Sequence, residues 1–211
     1  MSDHPLAARL SALETATLHE AGAGSVMSPD IKMLSGDRCV VGRALTVMCH
    51  PGDNLMIHVA VARAEPGDIL VVQANHPGFG VWGEVLTVAA QARKIVGLIL
   101  DGSVRDLAAI RKRKFPVFAR GLALRGAAKE REGTVNEPIS CGGQPVWPGD
   151  VVAADESGIV VMPREDVEAI LARAEERSRK EAVMMAELQR GRTTMELLGL
   201  AGKLTLSKVN D

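Results

Sequence analysis

Arg105 and Asp106 stand side by side, just after an apolar run that predicts a buried strand. The strand covers residues 96–100, and Ser103 is predicted to begin a helix, so that Arg105 falls in the first turn of that helix. A helix N-terminus carries partial positive charge and favours acids. Asp106 suits this position and Arg105 does not, which makes the arginine a candidate for anion binding.

A second acid, Glu84, follows the glycine-rich segment 75–83 and is predicted to begin another helix. In an open α/β sheet, ligands bind beyond the carboxyl ends of parallel strands, where helix N-termini present free N–H groups. If the strands before Glu84 and Arg105 are neighbours, both helix starts face one crevice. That crevice would hold backbone donors, a guanidinium and two carboxylates.

The chemistry predicted for this set is the binding of a small carboxylate together with a metal ion. Arginine can bind a carboxylate through two hydrogen bonds. Asp106 would repel that anion unless a divalent cation lay between them, and Mg²⁺ commonly binds one carboxylate plus waters. The hypothesis is a metal bound through Asp106 that chelates an anion held by Arg105, with Glu84 acting through water.

Structural roles can also explain several of these residues. Ser103 and Asp106 have the spacing of a capping box, and Glu84 is a favourable acid for a first helical turn. His58, among apolar neighbours, is interpreted as a hydrogen-bonded core residue, whereas His76 could contact a ligand. The predicted strands contain no lysine whose pKa burial could lower, which argues against a Schiff-base aldolase.

Hydrophobic periodicity predicts the elements that must position the site. A helix is expected within 5–20, and Asp53 is expected to cap the next one. Val85 and Val88 are expected to face the core from the helix over 84–94. Strands are predicted at "CVVGRALTVMC", "ILVVQA", "VGLIL" and "FPVFA", forming two β-α-β units, followed by short strands and a long charged helix over 164–190.

Composition restricts the function classes. A chain of 211 residues fits one domain. A net charge of −1, 2% aromatic residues and the absence of tyrosine disfavour nucleic-acid binding. Three widely spaced cysteines indicate small buried thiols. The sequence has neither an apolar leader nor a run of roughly 18 apolar residues, so we expect a cytoplasmic protein that does not bind membranes.

The spacing of Glu84, twenty residues and Arg105-Asp106 resembles the acidic-x20-Arg-Asp signature of the family that contains class II pyruvate aldolases and the regulator of ribonuclease activity A. The likeness extends through most of 40–163, including "GLILDGSVRD" and "GTVNEPISCGG". It implies an α/β fold, a single swivelling β/β/α domain with an N-terminal helix and a long C-terminal helix. The core would span about 20–163, with the helix 164–190 and the tail to 211 at a subunit interface of a homotrimer or hexamer.

The strongest likeness is to the 4-carboxy-4-hydroxy-2-oxoadipate (4-hydroxy-4-methyl-2-oxoglutarate) aldolases of aromatic degradation, which also decarboxylate oxaloacetate. This resemblance implies that Arg105 binds the pyruvyl carboxylate and stabilises its enolate, and that Asp106 binds Mg²⁺ or Mn²⁺. Glu181 of a neighbouring subunit would complete the site. Substrate would also contact the first turn of the preceding helix, at Gly83, Glu84, Val85 and Leu86.

Two departures from the family pattern bear on turnover. Glu84 stands where the aldolases carry aspartate, and Ala109 stands where many relatives carry an acid. The alternative function is a non-catalytic, protein-binding regulator of ribonuclease activity, which would share the fold and the Arg-Asp pair. A methyltransferase would need a glycine-rich loop after its first strand, whereas "AGAGS" follows a predicted helix.

Overall fold

A ten-stranded mixed sheet is the centre of the computed structural model, which describes residues 5–74 and 76–203. The strands are β1 (Ser25–Val26), β2 (Lys32–Ser35), β3 (Val40–Met48), β4 (Asp68–Gln73), β5 (Gly80–Trp82), β6 (Gly97–Val104), β7 (Val117–Leu122), β8 (Thr134–Val135), β9 (Ile139–Cys141), β10 (Gln144–Val146), β11 (Val151–Ala154) and β12 (Ile159–Met162). The helices are α1 (Pro5–Ser11), α2 (Thr15–Glu20), α3 (Leu55–Arg63), α4 (Glu84–Ala92), α5 (Leu107–Lys112), α6 (Val167–Gln189) and α7 (Thr194–Leu197), followed by a 3-10 turn at Leu200–Lys203.

The middle of the sheet is parallel and its flanks are antiparallel. Strands β3, β4, β6 and β7 are successive parallel neighbours, joined by crossovers that contain α3, α4 and α5. This is one β-α-β unit more than the sequence predicted. Strands β11, β12 and β1 extend one flank and β2 extends the other, while β9 and β10 form a separate hairpin. The predicted mixed α/β fold with a long C-terminal helix is confirmed.

Apolar side chains cover both faces of the parallel strands. In β4, the segment 69–72 is fully buried, as expected for a strand whose two faces are both covered. Helices α3, α4 and α5 pack on one face, and the β9–β10 hairpin packs on the other. The N-terminal helices and the first half of α6 cover the antiparallel strands β11 and β12. The candidate site lies at the carboxyl edge of the parallel strands.

The predicted helix start at Ser103 is wrong, and so is the capping box with Asp106. Strand β6 continues to Val104, because its ladder is extended by β5 on one side and β7 on the other. Ser103 is buried in this ladder, and its Oγ donates to the Pro77 carbonyl at 2.7 Å. Helix α5 therefore begins only at Leu107, with Asp106 as a cap residue that makes no side-chain capping bond.

Two predictions about helix rotation and continuity are also wrong. Val85 and Val88 are 77% and 43% exposed, although both were expected to face the core. Thr87 fixes the rotation of α4, because its Oγ1 accepts from the buried Trp82 indole and donates to the Gly83 carbonyl. The single helix expected within 5–20 is two helices, α1 and α2, separated at residues 12–14.

The C-terminal helix follows the sequence interpretation, and so do the buried Cys49 and Cys141, whereas Cys39 is only half-buried. Helix α6 buries the predicted apolar stripe along its first turns, whereas Val183 and Met185 further along are 66% and 56% exposed. The cysteines are free thiols, and burial raises the pKa of Cys49 to about 12. Within residues 5–74 and 76–203, no helix has the length and apolarity that a membrane crossing requires.

Candidate active site

A cavity of about 220 Å³ lies beyond the ends of β5 and β6. It is the crevice that the sequence predicted, with the start of α4 on one side and the Arg-Asp pair on another. Its lining consists of Asn54, His58, Gly80, Val81, Trp82, Gly83, Val85, Leu86, Arg105, Asp106, Ala127 and Lys129. Of the residues predicted to form the site, Glu84 and Glu181 are not among them.

Strand β5 brings the two halves of the signature together. Strands β4 and β6 are parallel neighbours. The loop that follows β4 leads into β5, which also pairs with β6 in parallel. The pairing continues past the strand end, since the Arg105 N–H donates to the Trp82 carbonyl at 2.8 Å. Gly83 and Arg105 are therefore neighbours across the sheet, as the expected adjacency of the two strands requires.

Glycines make room for the Arg105 and Asp106 side chains. A Cβ on Gly83 would lie 2.5 Å from Asp106 Oδ2, and one on Gly80 would lie 2.9 Å from Arg105 Cβ. A Cβ on Gly126, in the opposite loop, would lie 3.0 Å from an Arg105 guanidinium nitrogen. The two functional side chains thus lie directly against backbone.

Asp106 has an uncommon backbone conformation. Its φ of 57° and ψ of 31° are left-handed, a region in which non-glycine residues are rare, though Asp and Asn tolerate it best. The turn directs the carboxylate back toward α4, where Oδ2 accepts from the Glu84 N–H at 3.2 Å and lies 3.6 Å from Arg105 Nε. Within the described residues, Oδ1 accepts no hydrogen bond, and the side chain is 44% exposed.

The first turn of α4 supplies further donors. The N–H groups at the start of an α-helix have no acceptor within the helix, and the helix dipole adds partial positive charge. Val85 and Leu86 are in this turn and line the cavity. Together with the half-exposed Arg105 guanidinium, they form a site suited to a carboxylate or an enolate oxygen.

The carboxylates of Glu84 and Glu181 are paired with arginines of the same chain. Glu84 Oε1 accepts from Arg113 Nη2 at 2.7 Å and from its Nε at 3.1 Å. Glu181, on α6, lies 2.9 Å from Arg177 one turn earlier. Glu84 contributes its backbone N–H to the site, through Asp106, and the roles of both side chains stay predictions.

The donor set fits Mg²⁺ or Mn²⁺ better than zinc. The described residues contain no group of three or more His, Cys, Asp or Glu side chains that could hold a metal ion. Asp106 has an oxygen available and faces the cavity, so a cation here would take its other ligands from water and substrate. One carboxylate plus waters is usual for Mg²⁺, whereas zinc sites have three or four protein ligands.

Sequence reasoning missed three polar side chains of the cavity: Asn54, His58 and Lys129. The interpretation of His58 as a hydrogen-bonded core residue is wrong, because its Nε2 is buried and has no partner among the described residues. Burial and the nearby Lys129 ammonium lower the pKa of His58. The spacing of Asn54 and His58, one helical turn apart, is visible in the sequence, but no local pattern linked these two residues to Lys129. His76, the other histidine considered, does not line the cavity.

A larger groove of about 960 Å³ lies elsewhere, between β2 and residues 155–158. Its lining contains both basic and acidic side chains, including Lys114 and Arg111 as well as Asp37 and Glu156. A groove with mixed charge offers no concentrated site for an anion, so the smaller cavity is the better candidate for chemistry.

Comparisons with known proteins show relatives in both sequence and structure. A family model described as RraA-like, Aldolase/RraA, matches residues 8–161. A Halalkalibacterium halodurans protein named "Putative 4-hydroxy-4-methyl-2-oxoglutarate aldolase" is 36% identical over 152 residues, which is 72% of each chain.

Solved structures share the fold. The crystal structure of an uncharacterized protein from Pseudomonas syringae pv. tomato aligns with a TM-score of 0.81 at 26% identity, covering 89% of this chain and 90% of that one. Streptomyces coelicolor RraAS2, described as an unusual member of the RNase ES inhibitor RraA family, aligns with a TM-score of 0.78 at 27% identity, covering 90% and 98%.

Proposed function

The chain belongs to the RraA-like family, and on that premise we propose that it is a divalent-metal-dependent lyase that cleaves a 4-hydroxy-2-oxo acid. The substrate would be 4-carboxy-4-hydroxy-2-oxoadipate or 4-hydroxy-4-methyl-2-oxoglutarate, and the products pyruvate and a second oxo acid. The observation that carries this proposal is the convergence of Arg105, Asp106 and the first turn of α4 on one small cavity. We further propose oxaloacetate decarboxylation as a side activity.

The Arg105 guanidinium would bind the pyruvyl carboxylate, because it is the cation beside the free N–H groups of α4. Cleavage requires transfer of the 4-hydroxyl proton to a base, for which we propose a water held by a carboxylate of the site, followed by breaking of the C3–C4 bond. The electron pair of that bond moves to C3 and gives the enolate of pyruvate, which takes up a proton to form pyruvate. The N–H groups of Val85 and Leu86 would hold the oxygens on which negative charge grows.

Asp106 would hold the divalent cation. When bound, such a cation would supply positive charge beside the 2-oxo group and so lower the energy of the enolate. The Glu84 N–H would keep the carboxylate oriented through its bond to Oδ2. Oxaloacetate would lose its C4 carboxylate as carbon dioxide and leave the same enolate, so one site would serve both reactions.

We also propose that the active form is a homotrimer or hexamer. Exposed apolar side chains support this, since Leu122 and Leu124, at and just after the end of β7, are 60% and 94% exposed and the cavity residue Val85 is 77% exposed. Large exposed apolar surfaces are typical of protein interfaces. Glu181 of an adjacent subunit would then reach the site, and light scattering coupled to gel filtration tests the assembly.

A second candidate function is the regulation of a ribonuclease by protein binding. It is favoured by the similarity to RraAS2, whose description places it among ribonuclease inhibitors. The presence of Glu84, Arg105 and Asp106 together favours the enzyme.

One assay separates the two functions. Pyruvate release is measured from oxaloacetate and from 4-carboxy-4-hydroxy-2-oxoadipate, with Mg²⁺ and with chelator, for wild type, Arg105→Ala and Asp106→Asn. A lyase gives metal-dependent release that both substitutions abolish. Wild-type release no faster than buffer with either substrate would reject the lyase and direct the search to protein partners.

A further inference from the structure

Part of the cavity wall carries polar groups without partners. Four buried side-chain nitrogen or oxygen atoms lack a hydrogen-bond partner in the described part of the chain. Two of them, Asn54 Oδ1 and His58 Nε2, belong to residues that line this one cavity. Because a buried polar atom without a partner destabilises the fold, such atoms call for an explanation.

The orientation of the Asn54 amide is determined by its neighbour. Its Nδ2 donates to the Val81 carbonyl at 2.8 Å, and a flipped amide would place two acceptors against each other. The unpartnered atom is therefore the oxygen, an acceptor that requires a donor. A carboxylate cannot supply one, whereas a hydroxyl can. Asn54 is only 7% exposed, and it lines the cavity, so a bound ligand or water in the cavity can supply this donor.

Lys129 is positioned against the same wall by a loop with several anchors. Ala128, directly before it, accepts from the Asn54 N–H at 3.0 Å and donates to the Gly52 carbonyl at 2.8 Å. Directly after it, the Glu130 and Arg131 N–H groups both donate to Asp53 Oδ2, at 2.7 and 3.1 Å. This exposed lysine thus lies on backbone that is fixed to the start of α3 on both sides.

The cavity lining consequently contains two groups of residues with different chemistry. Arg105 and the first turn of α4 offer donors suited to the pyruvyl half of a substrate. The second group offers an acceptor at Asn54, a half-buried imidazole at His58 and an ammonium group at Lys129. A ligand that satisfies this second group needs a hydroxyl close to an anionic group.

We propose that Asn54, His58 and Lys129 form the subsite for the distal half of the substrate, in which Asn54 Oδ1 accepts a hydrogen bond from the C4 hydroxyl and Lys129 pairs with a carboxylate attached to C4. His58 bonds to the same end of the substrate. This inference rests on the proposed lyase function. It assigns the recognition of the cleaved half to residues outside the Glu84 and Arg105-Asp106 signature.

Two reactions of the same site separate this subsite from the pyruvyl end. Cleavage of 4-hydroxy-4-methyl-2-oxoglutarate requires both groups of residues. Exchange of the methyl hydrogens of pyruvate with deuterated water, followed by proton NMR, requires enolate formation but no distal half. The full-length protein with Mg²⁺ is used in both assays, as wild type, Asn54→Ala, His58→Leu and Lys129→Met, with Lys112→Met as the matched surface control.

In the three subsite variants, kcat/KM for cleavage should fall by about 10-fold to 100-fold, the usual effect of removing a hydrogen bond to a charged or buried group. Pyruvate exchange should change by less than about threefold, a difference within the range of surface substitutions. The exposed Lys112 lies outside the cavity lining, so Lys112→Met should match wild type in both reactions.

Equal losses of cleavage and exchange would overturn the subsite, because they indicate a general structural effect. Unchanged cleavage in Lys129→Met would overturn the assigned carboxylate contact. Because this lysine is exposed, its replacement should leave the fold intact, so a change in the kinetics of this variant is not caused by misfolding. If the wild type catalysed neither cleavage nor exchange, the lyase function itself would fail, which is a different outcome from failure of the subsite.

Discussion

Gly83→Ala should damage the site while leaving the fold intact. The new Cβ would lie 2.5 Å from Asp106 Oδ2, whereas ordinary contact begins at 3.4 Å, so the carboxylate would have to retreat by about 0.9 Å. The same Cβ would lie 3.1 Å from Arg105 Cγ. A misplacement of about 1 Å in a catalytic group can cost about 100-fold in rate. We therefore expect kcat/KM for oxaloacetate to fall by about 10-fold to 100-fold.

Stability should change much less in this variant. Gly83 has an extended backbone, with φ −156° and ψ −166°, and alanine as a helix N-cap costs about 1 kcal/mol. The measurements are steady-state pyruvate release and a urea titration. The control is Gly24→Ala, where the added Cβ meets nothing within 4 Å. Wild-type kcat/KM in Gly83→Ala would refute the argument that close backbone contact positions Asp106.

Three further predictions concern charge and burial. Glu84→Gln removes a half-exposed ion pair with Arg113, so the free energy of unfolding should fall by at most about 1 kcal/mol. The same variant should keep most of its kcat/KM, and a loss of about 100-fold or more would identify the Glu84 carboxylate as an acid–base group. Burial raises the pKa of Cys39 to about 11, so thiol reagents at about pH 8 should modify it more slowly than a free thiol, of pKa about 8.5; an equal rate would contradict the burial. Asp101→Asn removes the carboxylate that accepts from Arg120 Nε at 2.5 Å, and a urea titration should show a loss of about 1–3 kcal/mol, whereas wild-type stability would show that the pair contributes little.

The Arg105-Asp106 end of the candidate site could be predicted because its signals are local in the sequence. Arg105 was singled out as unusual in a first helical turn, although it directly follows β6. Glu84 begins the helix of the neighbouring crossover, so the rule for parallel sheets sufficed to place the two together. The error at Ser103 arose because a serine three residues before an aspartate, after an apolar run, also matches a helix start. The added strand β5 extends the ladder of β6 and delays the helix, which no local pattern indicates.

The distal half of the cavity could not be predicted in the same way. Lys129 is more than seventy residues from His58 in the sequence, and Asp53 brings the two together by accepting from backbone N–H groups of the loop. The sequence identified Asp53 only as a helix cap, a role it partly has through the Leu55 N–H. Its other carboxylate oxygen bonds to the loop, and such long-range side-chain contacts leave no periodic pattern in a sequence.

The left-handed backbone at Asp106 restricts the substitutions that natural variation can make there. Asparagine and glycine adopt this conformation at little cost, whereas β-branched residues do not. If Asp106 holds the proposed metal, a gene copy that no longer needed it would be expected to replace the aspartate with asparagine or glycine, while its cavity kept its shape. Among related chains, asparagine or glycine at this position should mark those that keep the scaffold without cation-dependent chemistry, whereas aspartate is shared by enzymes and regulators.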